Sequence, residues 1–183
     1  SGLMVVAKTD RAHKSLARQF ADHGRSGPLE RAYRALVWGA PEPPAGIIDA
    51  SLGRSTANRE KIAVKRSGGR RAVTHYRVIE RYGKRAVASL VECRLETGRT
   101  HQVRVHLASI GHPLIGDRVY GAGYATKLAL LPEAVSALAS SLGRQALHAS
   151  QLAFAHPATG VTMRFESPLP EAMSGLGAAL KSL

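Results

Sequence analysis

Residues 73–81 and 86–95 alternate apolar and polar side chains on either side of Tyr82-Gly83-Lys84, and this pattern narrows the fold more than any other feature of the chain. A period of two sends one row of side chains inward and the other outward. A short glycine-containing link turns the chain straight back, so the two stretches predict an antiparallel hairpin. Residues 149–155 and 161–166, flanking His156-Pro157-Ala158-Thr159-Gly160, predict a second hairpin. Residues 32–38 read as a further strand, bounded by Gly39 and the Pro41, Pro43, Pro44 cluster, and residues 46–50 start another short one.

Stretches of helical period lie between these strands. Thr9 or Asp10 can cap a helix that sets Ala12, Leu16 and Phe20 on one face and ends at Gly24. Residues 132–142 predict a second helix and residues 171–180 a closing one. Residues 97–111 fit both periods. Val103, Val105 and Leu107 alternate as in a strand, but Thr100 as cap, Val103, Leu107 and Ile110 on one face, and Gly111 as stop favour a short helix. The opening run Leu3-Met4-Val5-Val6 suits a buried strand, and its start without a turn or polar leader reads as cut from something longer. Together these elements predict one α+β domain over residues 1–183, a mixed, largely antiparallel sheet with flanking helices.

The 44% of hydrophobic residues can build a core, so the chain is not expected to be disordered. A formal charge of +13 and a pI near 10.7 make a polyanion, nucleic acid first, the expected partner, with solubilising charge as the plain alternative. Residues 54–71 concentrate that charge: Arg54, Arg59, Lys61, Lys65, Arg66, Arg70 and Arg71 surround Gly68-Gly69, a loop suited to embracing a phosphate backbone. The single cysteine, Cys93, cannot form an internal disulfide and sits where a small buried hydrophobe fits, which suits a reducing cytoplasm. No run approaches the roughly 18 apolar residues of a membrane span.

Several chemistries find no support. Phosphate-cradling glycine loops are absent, so no nucleotide cofactor is expected. His101, His106, His112, His148 and His156 fall in the second half, but their spacing matches no zinc pattern and no metal is expected. His112 and His156 each precede a proline, where a turn-stabilising role is simpler. Nothing arranges Ser, His and Asp as a triad.

The densest polar segment is Glu96-Thr97-Gly98-Arg99-Thr100-His101-Gln102-Val103-Arg104-Val105-His106. A helix beginning here would offer free N–H groups to an anion. Arg104 would lie one turn along from His101, able to turn inward to a carboxylate while its neighbours face solvent. A solvated basic helix end is the competing view.

Taken in order, several blocks resemble the RluA-type pseudouridine synthases: residues 1–9, Tyr33-Arg34-Ala35-Leu36-Val37, residues 98–106, residues 111–117 with Tyr120-Gly121, Arg144-Gln145-Ala146-Leu147-His148-Ala149, and residues 156–160. The detail is nearest to the branch acting on large-subunit ribosomal RNA. That resemblance implies the pseudouridine synthase catalytic fold and isomerisation of uridine to pseudouridine within an RNA, ribosomal first and tRNA second. It implies no metal, nucleotide or redox cofactor, and a monomer acting on RNA is the simplest expectation.

The resemblance also implies a nucleophilic aspartate in a His-Arg-Leu-Asp motif that runs into Thr-Ser-Gly. Ser1-Gly2 matches only the end of it, so the aspartate belongs upstream of Ser1, and residues 1–183 alone are expected to be inactive. None of Asp10, Asp22, Asp49 or Asp117 matches it. Tyr33 matches the tyrosine placed against the target base, Arg104 the basic residue that pairs with the aspartate and keeps it ionised, and Leu147 a wall of the uracil pocket or plain core. Arg99, Thr100, His101, Gln102 and His106, with Arg54, Lys61 and Arg66 on the basic loop, are the expected RNA contacts. A non-catalytic basic RNA-binding module is the alternative from another class, and a histidine-based hydrolase stands third.

Overall fold

A computed structural model describes residues 1–58 and 60–183. A six-stranded sheet forms the centre, built from β1 (Glu30–Trp38), β2 (Ala45–Asp49), β5 (Val73–Tyr82), β6 (Ala88–Leu95), β7 (Leu147–Ala155) and β8 (Thr162–Glu166). Its order is β2-β5-β6-β1-β7-β8, and every neighbouring pair is antiparallel. The α+β architecture expected from the alternating runs is present, including both hairpins.

Alternation along the central strands divides the interior in two. Ala35, Val37, Val91 and Cys93 point to one face, where they meet Val103 and Leu107 of α2 (Gln102–Ser109). Leu36, Trp38, Ala88 and Leu90 point to the other, against α4 (Glu133–Ser141) and α5 (Glu171–Lys181). Each face buries an apolar row, which is why Ala35-Leu36-Val37-Trp38 of β1 and Leu90-Val91 of β6 run apolar without alternating. Leu36, Leu107 and Leu176 are almost fully enclosed, and truncating any of them to alanine is expected to cost about 2–5 kcal/mol.

At the sheet's outer edge, α1 (Asp10–Asp22) lays Leu16 and Phe20 on Leu29, Leu152 and Phe154. Thr9 caps it by accepting the Ala12 N–H at 3.2 Å. His23, left-handed at φ 61°, ends it one residue before the expected Gly24.

Three expectations need correction. Residues 3–6 are not a buried strand: Met4 and Val6 are 82% and 69% exposed, while Leu3, Val5 and Ala7 pack on the α1 cluster. Only one of the two rows has anything to cover it. The basic stretch 54–71 is not wholly a loop, because β3 (Leu52–Arg54) and β4 (Ile62–Val64) pair as a small antiparallel ribbon. Arg59 lies outside the described residues. Thr100 does not cap α2. His101 precedes the helix at φ 56° with no side-chain cap, and the Gln102 side chain itself reaches back to accept the Arg99 N–H at 2.9 Å. A short 3-10 turn (Ala122–Tyr124) and α3 (Ala125–Ala129), both unforeseen, join this region to α4.

Candidate active site

The chain start, β1 and α2 converge beside the junction of β1 and β7. Tyr33 is paired across the strands with Ala149. The same Ala149 donates its N–H to the Ser1 carbonyl and accepts the Leu3 N–H, at 2.9 and 3.0 Å. Gly2 makes this seat attainable: at φ 96° a Cβ would lie 2.3 Å from the Ala149 carbonyl oxygen, so any larger residue would push the chain start away. Ser1 Oγ adds a 3.1 Å contact to His148 Nδ1. Residue 1 is thereby fixed one strand from Tyr33.

Tyr33 is half-buried on the face of the sheet that meets α2, and it shares one apolar cluster with Leu147 and Val103. Burial pushes its phenol pKa up, partly offset by the Arg31 guanidinium. Arg104 follows Val103 on α2. Its Nε and Nη2 donate to Asp117 Oδ2 and Oδ1 at 2.7 and 2.8 Å, and its guanidinium lies over the Tyr120 ring, 4.8 Å from the centroid. This two-pronged pairing holds the group to one plane, which an ammonium could not match. An inward-turned arginine with a carboxylate was expected here, and the carboxylate it meets within residues 1–183 is Asp117.

Asp117 arrives by its own route. Residues 113–115 run along the end of β1, with Trp38 N–H donating to Pro113 O and Ile115 N–H to Leu36 O. Gly116 then turns at φ 74°, where a Cβ would meet the Arg144 carbonyl oxygen at 2.4 Å. The turned carboxylate accepts the Val119 and Tyr120 N–H groups at 3.0 and 3.1 Å. Burial, the largest single influence, opposes its ionisation, yet Arg104 and the two backbone donors together hold its pKa below the usual carboxylate value.

Behind this pair, a buried polar network joins α2 to β5. Gln102 Oε1 accepts from Thr97 Oγ1 at 2.7 Å as well as from Arg99 N–H, and its Nε2 donates to Val73 O and Thr74 Oγ1. His106 Nε2 lies 3.1 Å from Ala50 O, which can only accept, so that nitrogen carries the proton and Nδ1 accepts from Thr74 Oγ1 at 2.9 Å. Burial lowers the His106 pKa accordingly, so the ring is neutral. Gln102 and His106 were expected to face the substrate. They are 2% and 0% exposed instead, and form the frame that sets the position of α2.

The remaining expected contacts form the rim. His101 Nδ1 and Tyr120 Oη share a hydrogen bond at 2.9 Å, and that hydroxyl also accepts the Ile62 N–H from β4. Lys61 Nζ donates to Val119 O at 3.3 Å. The β3–β4 ribbon is thus fastened beside Arg104 through Tyr120. Arg99 donates from Nε to Arg71 O at 3.1 Å, Thr100 is exposed, Arg54 ends β3 on the surface, and Arg66 is exposed beyond β4. His112 and His156 stabilise turns as expected, the first bonding Trp38 O and the second accepting the Ala158 and Thr159 N–H groups. Cys93 is fully buried and its thiol pKa is pushed up to about 12, which argues against thiolate chemistry.

Arg31 and His23 were not singled out from the sequence, and Asp117 and Tyr120 were given no site role there, Asp117 being named only as an aspartate that does not match the nucleophile. Asp117 closes the resembling run 111–117, and Tyr120 stands in the Tyr120-Gly121 pair that accompanies it. Arg31 stands two residues before Tyr33, the spacing that puts two strand residues on one face.

Residues 1–109 match the RNA pseudouridylate synthase family model. A ribosomal large subunit pseudouridine synthase D from Zymomonas mobilis is 52% identical over 174 residues, covering 94% of this chain and 50% of that protein. Its counterpart from Nitrosomonas europaea is 45% identical over 183 residues, covering 100% of this chain and 49% of that protein. The chain spans about half the length of the curated relatives it matches. Among solved structures, human RNA pseudouridylate synthase domain containing 1 superposes with a TM-score of 0.67 at 24% identity, covering 97% of this chain and 74% of that one, a likeness of fold.

Proposed function

The chain belongs to the RNA pseudouridylate synthase family, and from that premise we propose that it supplies most of the catalytic domain of an enzyme converting uridine to pseudouridine in large-subunit ribosomal RNA. One observation carries the assignment most directly. Ser1 is hydrogen-bonded into β7 opposite Tyr33, so an aspartate a few residues upstream of Ser1 would enter beside Tyr33, Leu147 and the Arg104 helix.

The proposed chemistry follows from what each group can do. The uridine must leave its stack before its glycosidic bond can be reached, which costs a few kcal/mol. Tyr33 would stack on the everted base, with Leu147 as the apolar wall. The N1–C1′ bond breaks, the base turns and C5 bonds to C1′, after which the C5 proton leaves to solvent and N1 takes one up, so the pocket must hold the base between breaking and rejoining. Arg104 would hold the incoming aspartate ionised, and Asp117 fixes the guanidinium for that role through Nε and Nη2, leaving Nη1 outside the existing pair. Arg99, Thr100, His101, Arg54, Lys61 and Arg66 would grip phosphates around the opening. No step calls for a metal, nucleotide or redox cofactor. The single cysteine, Cys93, suits a reducing cytoplasm and a monomer is the simplest arrangement; among the described residues no helix is long and apolar enough to cross a membrane.

Tritium release from RNA labelled at uridine C5 tests the assignment in a polypeptide that includes the aspartate. Sustained release is expected. RNA binding without release would favour the non-catalytic alternative.

A further inference from the structure

Arg31 precedes Tyr33 by two residues on β1 and faces the same side of the sheet. It is 8% exposed. Its Nε and Nη2 have no hydrogen-bond partner among the described residues. A buried guanidinium with open donors opposes folding unless something answers its charge. Among the described residues no carboxylate pairs with it: the Tyr33 phenol beside it is neutral, its pKa raised by burial, and the Arg99 charge repels it.

Its surroundings are shaped to hold it. The guanidinium lies 5.6 Å from the centroid of the Phe20 ring, and Gly98 leaves a notch that a Cβ would fill at 2.4 Å from Nη1. Phe20 and Gly98 both line an open basin that also carries His23, Arg25, Arg70 and Arg99. His23 Nδ1 is also buried without a hydrogen-bond partner among the described residues. Arg99 is held at the rim by its Nε bond to Arg71 O. The nearby acids are already engaged: Glu96 faces Arg71 and His75, and Asp22 accepts the Ser26 N–H.

We propose that Arg31, His23 and Arg99 form a socket for one phosphate of the bound RNA, the phosphodiester adjoining the uridine that Tyr33 holds. This rests on the function proposed above. These three atoms are enclosed, so the Arg31 and His23 side chains would turn toward the basin as the phosphate enters, its oxygens then accepting from Arg31 Nε and Nη2 and from His23 Nδ1–H, with Arg99 closing the rim. Seating the backbone two residues from Tyr33 would orient the nucleotide so that its base turns toward the phenol ring.

The test measures binding of a short oligouridylate by residues 1–183 across a salt series, for wild type, Arg31→Met, Gly98→Ala and, as a control for lost charge, Lys181→Gln. Inorganic phosphate is titrated in parallel against the Arg31 Nε–H resonance. Arg31→Met is expected to weaken binding about tenfold and to flatten the salt slope by roughly 0.7, the loss of one phosphate contact on a single strand. Gly98→Ala should weaken it severalfold with net charge unchanged, because the new Cβ displaces the guanidinium. Arg31→Met should also melt higher than wild type, an outcome a structural arginine would not give. Unaltered binding and slope in both variants, or an Arg31 resonance that phosphate does not move, would overturn the socket. If phosphate moves that resonance but wild type does not bind oligouridylate, an anion site stands and its assignment to RNA falls together with the proposed function.

Discussion

Replacing Asp117 with asparagine should destabilise the protein by about 3 kcal/mol, near the lower end of the 3–5 kcal/mol seen when one partner of a buried pair is removed. The Asp117 side chain is fully enclosed and that of Arg104 is 11% exposed, so neither charge can turn to water. Asparagine could keep its oxygen on the Val119 and Tyr120 N–H groups and on Arg104 Nη2. Its amide would then present N–H to the Arg104 Nε–H, donor against donor, beside an unanswered cation. For a chain of this length about 3 kcal/mol corresponds to a fall in Tm of roughly 6–12 °C. Urea unfolding gives the same quantity through the midpoint, provided the m-value does not change. The exposed Lys14–Asp10 pair, 74% and 75% exposed, is the internal control, and Asp10→Asn should shift stability by less than about 0.5 kcal/mol. The Asp117 pKa is lowered on folding, so its contribution is present above the unfolded carboxylate value and is lost only as pH falls through the lower folded value. The gap between wild type and Asp117→Asn should therefore persist at mildly acidic pH and close in strong acid. Asp117→Asn within about 1 kcal/mol of wild type at neutral pH would refute the coupling of the pair.

Other expected outcomes follow from the same geometry. In the polypeptide that carries the aspartate, Arg104→Met should abolish tritium release while RNA affinity changes by less than about threefold, and full activity would contradict the pairing role. Gly2→Val should lower turnover by displacing the chain start from β7, seen as loss of amide exchange protection at Leu3 and Ala149 together with the fall in rate. His106 is neutral when folded because burial lowers its pKa, so the unfolded chain takes up the proton first. Its contribution is complete above about pH 6.5 and declines as pH falls toward the folded value. His106→Gln should flatten the urea midpoint against pH over that window, although His23 and His101, shifted in the same direction, will keep some slope.

Local pattern made much of this molecule readable. Strands β1, β5, β6, β7 and β8 and helices α1, α4 and α5 were predicted to within a few residues, because each is specified by a repeat of two or 3.6 that neighbouring side chains express together. Thr9 was a legible cap for the same reason. Residues 3–6 misled, since four apolar residues in a row do not reveal that only Leu3 and Val5 find a surface to cover. The β3–β4 ribbon was hidden by charge, as its short strands depend on Tyr120, 58 residues beyond Ile62, for part of their anchoring.

The candidate site divides along the same line. The ordered blocks from Ser1 to Gly160 determined the family and singled out Tyr33 and Arg104, since residue identity and order are properties of the chain itself. Only the tertiary structure decided that Gln102 and His106 turn inward, that Asp117 rather than solvent answers Arg104, and that Arg31 lies buried with two donors open. Those outcomes depend on the register of β1 against β6 and β7 and on the rotation of α2 over the sheet. Register and rotation are set by packing among residues far apart in the chain, and no local spacing encodes them.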